Sequence, residues 1–76
     1  MRDWQRIIGA NIRKIRVARG LSQERLAFSA DIDLTYVGGI ERGKRNPSLL
    51  VLVGIADALG VHPTDLFEMP VSRPRK

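Results

Sequence analysis

Few side chains in this sequence are equipped to make or break a covalent bond. There is no cysteine, and the single histidine, His62, has no second ligand to accompany it. No GxxxxGK[ST] loop is present to cradle the phosphates of a nucleotide. Ser22 and Ser48 stand where helices should begin, while a turn and a helix start account for Asp31 and Asp33. These readings argue against an enzyme, a metal site and a bound cofactor. What remains is hydrogen-bonding chemistry: two hydroxyls at Thr35 and Tyr36, and a cluster of cationic donors at Arg42, Lys44 and Arg45. Such groups suit a polyanion. The chain carries 13 Lys and Arg against 8 Asp and Glu, a formal charge of +5, which favours the same kind of partner. Three of those thirteen basic residues fall in the last four positions, so the folded part is less basic than the total.

The elements that must position these residues lie in Leu21–Arg45. The stretch reads as two short helices joined by a tight turn. Ser22 is a good N-cap, because its hydroxyl can accept from a backbone N–H that has no partner within the helix. Leu26, Ala27 and Ala30 follow at helical spacing and make one apolar face. The turn falls at Asp31–Ile32–Asp33, with Asp33 placed to cap a second helix running to about Arg42. Val37 and Ile40 turn inward from that helix, and Gly43 stops it.

This arrangement resembles the helix-turn-helix of the XRE/Cro-type repressor family, through Ser22-Gln23, Leu26-Ala27, Ile32, Val37, Ile40-Glu41 and Gly43. The run from Thr35 to Leu49 looks most like the small controller proteins of restriction–modification systems, and the resemblance extends from about Ile7 to Phe67. One position departs from it. The family usually has glycine where Asp31 stands, at a site of positive φ, which aspartate tolerates better than most residues. The resemblance implies an all-α, five-helix repressor-like DNA-binding domain that acts on double-stranded DNA as a homodimer at a palindromic operator. In that docking mode the second helix of the pair lies in the major groove with its N-terminal residues facing base edges. Those residues are Leu34, Thr35 and Tyr36, with Gly38 and Gly39 one turn on, and Gly39 counts among the base-facing positions. Thr35 can bond a base or a phosphate, and the ring of Tyr36 can pack on a thymine methyl group. Gln23 is expected on a phosphate, as are Arg42, Lys44 and Arg45, which set affinity rather than sequence. By the same resemblance, Arg16 pairs with Glu41. Gly38 and Gly39 together cost a helix about 2 kcal/mol against alanine, for which close approach to DNA and tight packing against another helix are both open explanations. An antitoxin, a phage-type repressor of the same fold, and a protein-interaction module without DNA binding are the alternatives.

The rest of the chain supplies the frame. A first helix is expected over Asp3–Arg19, with an apolar stripe at Trp4, Ile7, Ile8, Ile12 and Ile15. A fourth should start at Pro47 with Asn46 as its cap and run to Leu59, turning Leu49, Leu52, Ile55, Ala56 and Leu59 inward. Leu50, Val51 and Val53 are apolar as well, and a helix apolar nearly all round is buried on more than one side. A partner subunit can supply the second side, so Leu50, Val51, Val53, Leu66 and Phe67 are the candidates for a dimer interface. A short fifth helix should begin at Pro63, with His62 near its cap. Residues 1–68 then form one domain, and 69–76 a basic, disordered tail. No apolar run approaches the roughly 20 residues of a membrane span. The start lacks a signal peptide's apolar core. A soluble cytoplasmic protein is expected, with no membrane partner and no small-molecule effector evident.

Overall fold

A computed structural model of the chain describes residues 3–69, which form four α-helices and one 3-10 helix. Apart from Met69, the expected tail lies outside the described residues. The first helix, α1, spans Trp4–Ala18, and Asp3 caps it by accepting from the Arg6 N–H at 3.2 Å. The second, α2, spans Gln23–Ala30, with the Ser22 hydroxyl accepting from the Arg25 N–H at 3.0 Å. After a short turn, α3 covers Leu34–Glu41. The fourth, α4, covers Leu49–Leu59 and stops at Gly60. Its cap is Ser48, whose hydroxyl accepts from the Val51 N–H at 3.2 Å, so Asn46 and Pro47 belong to the preceding loop. The fifth element, Pro63–Phe67, is a single 3-10 helix with a capping box between His62 and Asp65.

The core draws on every element. Ile12, Leu26, Val37, Ile40, Ile55, Leu59 and Leu66 are essentially sealed from solvent. Burial of each such side chain contributes about 1.5–3 kcal/mol. Helix α1 packs on α3 and the 3-10 helix, while α2 packs on α3 and α4. The crossing of α1 and α3 is close because residue 9 is glycine. A Cβ there would collide with the Ile40 carbonyl oxygen and lie 2.9 Å from that of Glu41. Asn11 fastens the other end of the chain to α1, its side-chain amide donating to the Leu66 and Glu68 carbonyls at 2.8 Å each.

Three expectations about the apolar residues change. Leu66 is 0% exposed inside the core of its own chain, so it is not available to an interface. Leu49, expected inward, is 69% exposed at the first position of its helix, whereas Leu52 in the same turn is buried. Trp4 is also outside the core, half-exposed and tilted against Phe67 with ring centroids 6.2 Å apart.

Candidate nucleic-acid interface

The turn between α2 and α3 is built as the sequence suggests, with aspartate in place of glycine. Asp31 is left-handed at φ 59°, ψ 47°, and the Ile32 N–H closes back onto the Ala27 carbonyl at 3.0 Å. That geometry ends α2 and sends the chain into α3. Asp33 occupies the N-cap position of α3 in extended conformation, yet its side chain makes no capping hydrogen bond. The expected cap is therefore positional only, and its carboxylate is exposed at the mouth of the helix.

The inner side of α3 is fixed by a polar hub. Glu41, with its side chain 2% exposed, receives the Arg16 guanidinium on both oxygens: Nε to Oε2 at 2.7 Å and Nη2 to Oε1 at 3.0 Å. This two-pronged geometry is the strong form of a carboxylate–guanidinium pair. Arg16 also donates through Nη1 to the Leu21 carbonyl at 2.8 Å, and Gln23 Nε2 donates to Glu41 Oε1 at 3.0 Å. The hydrogen bond to Glu41 raises the Arg16 pKa above its ordinary value, against the opposing cost of burial. One carboxylate thus ties α1 and the start of α2 to the end of α3. Among the described residues no buried side-chain polar atom is left without a partner.

The outer side of α3 carries the candidate recognition residues. Leu34 is 41% exposed, Thr35 is exposed and Tyr36 is half-buried. Arg42, Lys44 and Arg45 are exposed just past the helix end. The chain reverses there through Gly43, left-handed at φ +74°, with the Lys44 N–H on the Gly39 carbonyl at 2.9 Å. Glycine is needed for space too, since a Cβ at 43 would lie 3.0 Å from the Arg6 Cα.

Gly38 and Gly39 have an explanation that differs from both open ones. They are buried under arginine side chains of their own chain. A Cβ on Gly38 would lie 3.1 Å from Arg42 Nη1, and one on Gly39 would lie 2.8 Å from Arg45 Cγ. Gly39, expected among the base-facing positions, is covered by the Arg45 side chain. Arg45 instead spreads its guanidinium over the Tyr36 ring, 5.3 Å from the centroid. Gln23, expected on a phosphate, spends its amide on Glu41 and is half-buried. Asn11 and the Arg45–Tyr36 contact were not legible beforehand. The asparagine's partners are backbone carbonyls 55 and 57 residues away, and the contact depends on how the loop folds back.

Among the described residues no group of His, Asp and Glu is arranged to hold a metal ion. No helix among them is long and apolar enough to cross a membrane.

The comparisons agree with this geometry. Residues 12–66 match the family described as Helix-turn-helix, HTH_3. The chain is 46% identical over 63 residues to control protein C.BamHI of Bacillus amyloliquefaciens, covering 82% of this chain and 78% of that one. It is 41% identical over 68 residues to control protein C.MunI of Mycoplasma sp, covering 88% and 92%. The crystal structure of the restriction-modification controller protein C.AhdI from Aeromonas hydrophila superposes with a TM-score of 0.81 at 48% identity, covering 83% of this chain and 96% of that one. The bundle, its buried hub and its outward recognition helix are those of a DNA-binding transcriptional regulator, and the chain belongs to the XRE-type helix-turn-helix family.

Proposed function

We propose that this regulator binds a palindromic operator as a homodimer and controls transcription in a restriction–modification setting, in the cytoplasm. The observation that carries the reading is the division of α3 into two sides. Its inner side is locked by Arg16, Gln23 and Glu41, while Leu34, Thr35 and Tyr36 face outward beside Arg42, Lys44 and Arg45. A rigid helix with polar groups and cations on its free side is what major-groove reading requires. The dimer is supported by the outer face of α4, where Leu49 and Leu50 are 69% and 78% exposed and Val53 is partly exposed. Phe67 lies at 38%. The controller role rests on likeness to C.BamHI, C.MunI and C.AhdI, which are named as control or controller proteins.

Two recognition helices related by a two-fold axis should meet major grooves about 34 Å apart, with half-sites about 10 bp apart. Selection from genomic DNA with the purified protein tests this. The expected outcome is enrichment of one palindromic sequence beside methyltransferase and endonuclease genes. Enrichment of non-palindromic sequence, or of none, would reject the reading.

A further inference from the structure

Three glycines along α3 and the loop after it are each overlaid by an arginine, and one of those arginines comes from a different helix. Arg42 lies over Gly38 and Arg45 over Gly39, both from the same stretch of chain. Gly43 is overlaid by Arg6, in the first turn of α1. The space a Cβ would take at residue 43 meets Arg6 Cγ, Cα and N at 2.8, 3.0 and 3.2 Å. Helix α1 therefore touches the loop at the residue between Arg42 and Lys44. With consecutive Cα atoms about 3.8 Å apart, the Cα of Arg6 lies within about 8 Å of that of Lys44. All three cationic side chains are exposed.

The root of Arg6 is fixed and its head is not. Its backbone N–H donates to Asp3 Oδ1 at 3.2 Å, and its stem crosses Gly43. Its guanidinium is paired only with Asp3 among the described residues, Nε lying 3.7 Å from Oδ2, beyond hydrogen-bonding distance. The two side chains are 68% and 60% exposed, and an ion pair that open contributes little. Arg16, by contrast, spends its donors on Glu41 and the Leu21 carbonyl, and the Arg45 head rests on the Tyr36 ring. Three like charges brought together from two elements repel one another, and an anion held among them removes that cost.

We propose that Arg6 is a phosphate-binding residue, which carries the DNA contact from the helix-turn-helix onto α1. The inference rests on the DNA-binding reading above. The ligand is a phosphodiester of the strand that Lys44 approaches, held by a guanidinium whose Nη groups have no acceptor among the described residues. Such a contact adds affinity and fixes the orientation of the domain on the duplex, without reading sequence. Gly43 then serves twice: its left-handed turn ends α3, and its missing side chain lets α1 bring a cation up to the loop.

Binding titrations over a range of salt, on the selected operator and on a scrambled duplex of equal length and composition, test the proposal. Arg6→Met keeps a stem over Gly43 and removes the charge. It should weaken both duplexes by the same factor and flatten the salt dependence by about 0.9 unit of slope per bound protomer. For a dimer, the loss should then be about 12-fold larger at 50 mM salt than at 200 mM. Arg6→Lys should restore most of the slope, because a phosphate accepts from a point charge as well as from a planar fork. Arg13→Ala removes an equal charge from the same helix, about 10 Å further along it, and should leave the slope nearly unchanged. A wild-type slope in Arg6→Met would overturn the proposal, as would a loss confined to the operator. An equal flattening by Arg13→Ala would overturn it too, since the effect would then belong to net charge and not to a site. A wild-type protein that does not distinguish the two duplexes would overturn the function reading itself. If circular dichroism shows Arg6→Met to be unfolded, Arg6→Gln takes its place.

Discussion

Helices α3 and α4 each carry a glycine away from the core, and the two are treated in opposite ways. The space a Cβ would take at Gly39 is already filled by Arg45, whereas a Cβ at Gly54 would find no neighbouring atom within 4 Å. The flanking residues follow the same division. Around Gly39 the surface is polar and cationic, tied from within by a hydrogen-bonded hub. Around Gly54 it is Leu50, which is exposed, and Val53, which is partly exposed. A surface finished by its own side chains can meet a hydrated, charged partner without rearranging. A bare apolar surface with a glycine at its centre suits the close approach of another helix, and exposed apolar patches of this kind mark interaction sites.

The largest effect should come from breaking the hub behind α3. Glu41→Ala leaves the Arg16 guanidinium and the Gln23 amide without their acceptor, in a site where the Arg16 side chain is only 10% exposed. Removing one partner of such a pair costs about 3–5 kcal/mol. For a domain of this size that lowers Tm by more than about 12 °C, at about 4–8 °C per kcal/mol. A calorimetric shift of only a few degrees would mean that α3 is held by its apolar residues and not by the hub.

Next is the bare face of α4. Val53→Asp should convert a dimer to a monomer in analytical ultracentrifugation. With it should go the gain from binding two half-sites together, worth about 10²- to 10⁴-fold in affinity. The fold itself should survive, because residue 53 lies outside the sealed core. A variant that stays dimeric would place the interface elsewhere. Gly54→Ala sharpens the contrast by its sign. Alone, the helix gains about 0.8–1 kcal/mol, and Tm measured at low concentration should rise. If two α4 helices cross over that glycine, the dimer dissociation constant should rise as well, and a tighter dimer would exclude the crossing.

The smallest effect belongs to the turn that leads into α3. Asp31 is the one described non-glycine residue with positive φ. Asp31→Gly relieves a left-handed side-chain conflict worth up to about 1 kcal/mol, less what glycine costs through the unfolded chain. A denaturant melt should show a small gain in stability, with operator affinity unchanged. A loss of stability would mean that the aspartate side chain contributes more to the turn than its backbone conformation costs.

How legible these regions were follows from the range of the forces that shape them. Ser22, Asp3 and Gly60 act on neighbours within one turn, so helix starts and stops could be read from residue type and spacing. The Arg16–Glu41 contact came through family likeness, and its 2.7 Å geometry depends on α1 and α3 crossing at Gly9. The start of α4 was misread because Asn46 and Ser48 are both good caps and lie two residues apart. Leu66 was misplaced because apolar character says a residue is buried, not by what. The seat of Arg45 was invisible, since it needs a loop reversal that brings residue 45 back over residues 36 and 39.

The Asn11 clamp has a consequence for the order in which the molecule assembles. Its amide joins α1 to carbonyls 55 and 57 residues later, closing a loop that includes most of the chain. Loop-closure entropy grows with the length closed, so this junction forms late, after α2, α3 and α4 have met through shorter connections. The same junction is the natural place for the native state to open first, because a single 3-10 turn carries Leu66 into the core. Each opening of that turn lifts a plug from the apolar interior while the recognition helix stays braced by Glu41. Amide exchange should accordingly be fastest at the C-terminal closure and slowest where α1 crosses α3, which makes the DNA-reading half the durable part of the fold.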